Sequence, residues 1–115
     1  MEKLPKPPET YESFVQRFPK LKEAWEQIAE AGKDGPLDQK TVRLIKLGIA
    51  IGAQKEGAIH SSVRKALSLN ISRAEVEQVI ALAAGTIGLP STVAVYSWTQ
   101  DVLDKEKNKR CCSGS

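Results

Sequence analysis

A chain of 115 residues with 41% apolar and 27% charged residues has the composition of one folded domain with its own core, which excludes a disordered chain. Its net charge of +3 arises from Lys and Arg interleaved with Asp and Glu, without a basic, aromatic-rich face, so nucleic acid is not an expected partner. No apolar run approaches the roughly 18 residues of a membrane span, and Met1 to Pro8 lacks a signal-like apolar stretch, so a cytoplasmic protein with no membrane contact is expected.

Taken in chain order, residues 1–9 read as an extended arm, because Pro5, Pro7 and Pro8 oppose regular pairing. A single helical domain is expected over residues 10–104. Tyr11, Phe14, Val15 and Phe18 fall at helical spacing, and Pro19 restarts the helix. Leu21, Trp25 and Ile28 continue the apolar stripe, with Trp25 expected in packing, until Gly32 and Gly35-Pro36 end it. Asp38 is a predicted N-cap for a third helix over about 39–53. That helix is apolar on several sides, which predicts a central position, and Gly48 and Gly52 suggest close backbone approach within the subunit or across an interface.

A break near Gln54 and Lys55 precedes a fourth helix over 56–67, with Asn70 as a left-handed stop. Ser72-Arg-Ala-Glu75 matches a capping box for the fifth helix, which runs to about Thr86. Ser91 or Thr92 is expected to start the sixth helix, through Trp98 and Leu103. Residues 105–115 read as a polar tail, whose cluster Lys105 to Arg110 is a solvated charge run. Cys111 and Cys112 lie in that tail with no metal-ligand spacing.

The chemistry-bearing feature is Glu56-Gly-Ala-Ile-His60, which holds the only histidine of the chain four residues after a carboxylate. On a helix the two side chains share a face, so the carboxylate could orient the imidazole for proton transfer. The same spacing also serves ordinary surface ion pairs, and spacing alone leaves both readings open. Two ligands are too few for a metal site, Gly85-Thr-Ile-Gly88 lacks the lysine and strand of a phosphate loop, and neither Ser61 nor Ser62 sits in a nucleophile elbow.

From Leu37 to about Trp98 the chain resembles the carboxymuconolactone decarboxylase family, which includes the alkylhydroperoxidase D-like proteins. The resemblance rests on Leu37 to Ile51, on Glu56-Gly-Ala-Ile-His60, on Val63-Arg-Lys-Ala-Leu67, on the helix start at Ser72 and on Gly88-Leu-Pro-Ser91. It implies an all-α, six-helix, alkylhydroperoxidase D-like domain that assembles as a homotrimer or homohexamer. It departs from the peroxidase members in having no cysteine pair before the histidine: residues 52–59 contain no thiol, and Arg43 stands where a glutamate is common. Thiol peroxidase chemistry is therefore not expected.

By that resemblance, His60 would be the acid or base of a decarboxylase-like lyase, with Glu56 orienting it. Arg43 and Trp98 would contact a small lactone or carboxylic acid. No cofactor is implied. Whether the chain is catalytic is left open, and a non-catalytic homo-oligomeric scaffold or engineered assembly subunit is the competing reading.

Overall fold

The computed structural model describes residues 7–114, and the side chains of residues 10–105. Among them the backbone forms six helices and no strand: α1 (Pro7–Arg17), α2 (Pro19–Ala31), α3 (Gln39–Ala53), α4 (Glu56–Ser68), α5 (Arg73–Ile87) and α6 (Leu89–Gly114). Two units divide at the Gly35-Pro36 dipeptide, Met1–Pro36 and Leu37–Ser115, where the sequence reading expects one domain over 10–104.

In the first unit, α1 begins at Pro7, inside the stretch expected as an extended arm. A proline suits a helical first turn, because its fixed φ is already helical and its missing N–H would have had no partner there. The rest of that arm, residues 1–6, lies outside the described residues. Phe18, at φ −127° and ψ 72°, leaves the helical region between α1 and α2, as a following proline favours, and Pro19 opens α2. Phe14 and Phe18 meet at 5.3 Å between ring centroids, and the Arg17 guanidinium lies over the Phe18 ring. Val15 is buried, whereas α2 buries none of its residues. Trp25, expected in packing, is 59% exposed.

The second unit holds the main core. Leu47, Ala50 and Ile51 of α3, Ile59, Val63 and Ala66 of α4, Val76 and Ile80 of α5, and Val95, Val102 and Leu103 of α6 converge there with Ile71. Local chain chemistry sets the helix ends. The Asp38 carboxylate accepts a 2.7 Å bond from the Thr41 N–H and opens α3. Gln54 is left-handed at φ 54°, and its N–H and that of Lys55 return to the carbonyls of Ile51 and Ala50. The two-residue turn sends α4 back along α3. Asn70, at φ 65°, stops α4 in the same way, and the Ile71 N–H closes on the Ala66 carbonyl.

Ser72 and Glu75 form the expected reciprocal capping box at 2.8 and 3.1 Å. Gly88, at φ 87°, turns the chain between α5 and α6. Helix α6 starts at Leu89, earlier than the Ser91 or Thr92 expected, and the Thr92 hydroxyl donates to the Gly88 carbonyl one turn back. The backbone expected as a tail from residue 105 continues this helix to Gly114, and the side chains of Cys111 and Cys112 lie outside those described. Arg73 ties α5 to α6: it donates to Glu77 at 3.2 Å and to the Gln100 side-chain oxygen, and pairs with Asp104 at 3.8 Å.

Two expectations for α3 change. It is not sheathed on all sides, since Ile45 and Ile49 remain exposed. Within the subunit there is no close backbone approach at its glycines, which leaves the approach across an interface: a methyl added at Gly48 would reach only to 3.9 Å of Val79, and at Gly52 it would meet nothing within 4 Å.

Candidate functional site

Helix α4 presents Ile59, Ser62, Val63 and Ala66 to the interior. Glu56 lies in its first turn and His60 follows one turn later, so both project beside that buried stripe. The structure brings them together: Glu56 Oε2 lies 3.9 Å from His60 Nε2. That separation is too long for a hydrogen bond and is an ion pair only with a protonated imidazole. The His60 side chain is 26% exposed against 53% for Glu56, and Nε2 itself is shielded from solvent with no hydrogen-bond partner.

An unpaired buried nitrogen is costly, about 1–3 kcal/mol by the usual desolvation penalty, and is stabilised when a polar atom is brought to it. The shielded nitrogen can give or take a proton at a bound group.

The other two candidates lie on α6 and α3. Trp98 is half-buried and packs against the core cluster. Arg43, half-buried on α3, belongs to a group of cations: it, Lys46 and Arg64 act electrostatically on Lys65 of α4. Sequence reasoning missed Lys46, Arg64 and Lys65 because α3 and α4 carry them on separate stretches. Residues 39–68 hold six Lys and Arg against the single carboxylate of Glu56, and that imbalance was the available signal.

A second feature is an open apolar groove of about 540 Å³ between α3 and α5, with Leu44, Ile45, Gly48, Val79, Leu82 and Ala83 along it and Thr41, Glu75 and Gln78 at its polar edge. Its lining includes none of Glu56, His60, Arg43 or Trp98. Among the described residues, no group of three or more His, Cys, Asp or Glu side chains is placed to hold a metal ion, and no helix is long and apolar enough to cross a membrane.

Comparison with known proteins gives this arrangement a family. The model of the carboxymuconolactone decarboxylase family matches residues 19–101. The chain belongs to that family. The match takes in α2 as well as the stretch from Leu37 that the motifs pointed to, so membership of the carboxymuconolactone decarboxylase family spans both units. A crystal structure of an apo carboxymuconolactone decarboxylase family protein from Legionella pneumophila superposes with a TM-score of 0.74 at 26% sequence identity, covering 83% of this chain and 86% of that one. No curated protein matches the sequence.

Proposed function

We propose that the chain is a carboxymuconolactone decarboxylase-like lyase acting on a small lactone or carboxylic acid, with His60 as proton donor or acceptor and Glu56 as the group that orients it. The observation that carries this reading is the shielded, unpartnered Nε2 of His60 with a carboxylate 3.9 Å away. As carbon dioxide leaves such an acid, the electrons of the broken bond pass into the remaining skeleton, and an imidazolium held against it supplies the proton that completes the product. Arg43 would hold a carboxylate of the substrate by its guanidinium fork, and Trp98 would lend a wall. Thiol peroxidase activity is not part of the proposal, because residues 52–59 hold no cysteine.

Self-association into a trimer or hexamer is part of the same reading, supported by the exposed apolar faces of α3 and α5.

The only histidine of the chain makes the site directly observable, since its imidazole resonances need no assignment. A small lactone acid should shift the His60 nitrogen signals saturably, and the protein should release carbon dioxide from the compounds that bind. His60→Ala should lower kcat/KM by about 10²–10⁴, the usual worth of a positioned acid or base. Unchanged decarboxylation in a folded His60→Ala protein would remove the reading. Absence of any response at the imidazole across a panel of such acids would favour the non-catalytic homo-oligomeric scaffold.

A further inference from the structure

We propose that the apolar stripe of α2 in one copy of the chain seats in the α3–α5 groove of a second copy. The inference rests on the self-association proposed above and names the segment that fills the groove. Leu21, Trp25 and Ile28 recur at i, i+4 and i+7, so they lie along one face of α2, each at least 51% exposed. The family match begins at Pro19, the first residue of α2, so this helix belongs to the shared domain although it buries none of its own residues. An amphipathic helix with anchors at this spacing is a recurrent occupant of a hydrophobic groove.

The groove offers what such a stripe needs. Ile45 and Leu82 in its lining are open to solvent, and Gly48 and Ala83 are small enough to leave room among the larger side chains. At about 540 Å³ it has space for several side chains. The charges match as well. Glu75 is the charged residue of the lining and stands exposed at the polar edge. Lys22 is exposed three residues before Trp25, on the same side of α2, and brings the opposite charge to the border of the stripe. Glu23, Gln27 and Glu30 make the opposite face of α2. A helix lying on a lipid surface carries Lys and Arg on that face, so a second copy fits α2 better than a membrane does. Residues 32–38, which join α2 to α3, are exposed and can span up to about 25 Å, enough for α2 to reach a neighbour. Stripe and groove are different patches, so the contact closes by reciprocal exchange between two copies or around a ring.

Light scattering of the full chain, of variants and of one mixture tests it. Trp25→Ala/Ile28→Ala leaves the groove intact and should lose the parent's assembly while keeping its helical circular dichroism, since both side chains are exposed. Leu82→Glu leaves the stripe intact and should lose the assembly too. Mixing these two proteins should restore a species of two chains, because one intact stripe then meets one intact groove. It should need a higher concentration than the parent, having one such contact only. Lys22→Glu should weaken assembly more than Glu30→Lys, which lies on the opposite face. Assembly of Trp25→Ala/Ile28→Ala at the parent's mass would take α2 out of the interface and overturn the proposal while self-association stands. Variants that stay monomeric when mixed, or equal effects of Lys22→Glu and Glu30→Lys, would overturn it as well. A monomeric parent would remove self-association and this contact together: a lower melting temperature in Trp25→Ala/Ile28→Ala would then seat the stripe on its own chain, and binding to anionic vesicles lost in that variant would assign it to a membrane.

Discussion

The imidazole of His60 is held at an edge, with part of the ring reaching solvent while Nε2 is sealed off 3.9 Å from the Glu56 carboxylate. Glu56→Gln should keep the helix and remove the carboxylate that faces the imidazole, lowering kcat more than it raises KM for any acid the protein decarboxylates. A change in KM alone would mean that Glu56 contacts substrate and does not orient His60. Lys65 carries a separate, signed expectation. Its folded-state pKa lies below the ordinary lysine value of 10.5, chiefly from burial, so its charge is less favourable in the folded chain than in the unfolded one. This penalty is fully present below the folded value and is relieved as pH rises from there towards 10.5, because the unfolded chain then holds the proton that the folded chain has released. Lys65→Gln should therefore melt at or above the parent temperature near neutral pH, with the advantage shrinking as pH approaches 10.5. An advantage independent of pH across that range would assign the effect to packing.

At the level of the helices, the signals that could be read in the sequence are those a few residues long. The Ser72–Glu75 capping box, the Asp38 cap and the left-handed Asn70 each satisfy free backbone groups within a turn of themselves, so residue type and spacing were enough to place them. Ser72→Ala should cost about 1 kcal/mol by urea unfolding at neutral pH, the usual worth of a lost N-cap. The carboxylates of Asp38 and Glu75 sit below their ordinary range because backbone N–H groups, of Thr41 and Ser72 respectively, bind the charged form. Their contribution is present above the unfolded values of 3.8 and 4.5 and is lost as pH falls through the lowered folded ones. Asp38→Ala should accordingly lose less stability than the parent on moving from pH 6 to pH 2, and an equal loss would mean that the cap bond contributes nothing. The start of α6 was misread for a related reason. Thr92 has cap chemistry, but Gly88 had already turned the chain and Pro90 fits a first turn, so the Thr92 hydroxyl bonds back to Gly88 from inside the helix. The repulsion of Lys65 by Arg43 was not legible at all, since the two are far apart in the chain until the α3–α4 turn folds their helices back.

At the scale of the whole molecule, the apolar pattern of α3 and α5 promised more burial than one copy of the chain provides. Core positions such as Leu47, Ile51, Val76 and Ile80 are covered, but Ile49 is 65% and Leu82 72% exposed, and Ile45 beside them is also open. Together with the groove between these helices they make a continuous apolar surface that a lone domain of this size would not ordinarily leave wet. The small residues fit the same picture. Gly52 and Gly85 have open space where a side chain would go, so nothing within the subunit explains why helix interiors accept the roughly 1 kcal/mol that glycine costs relative to alanine. A second copy packed across α3 and α5 would account for both, by covering the apolar side chains and using the glycines for close approach. Light scattering should give a mass above one chain at micromolar concentration. Leu82→Glu, which places a charge at the open edge of the groove away from the internal core, should shift the protein to monomer while its helical circular dichroism is retained. A monomeric parent would remove the assembly, and an oligomer indifferent to Leu82→Glu would move the interface off this face. If the monomeric variant also loses the His60 response to lactone acids, the site is completed by the neighbouring subunit, whose polar atom would be the missing partner of Nε2.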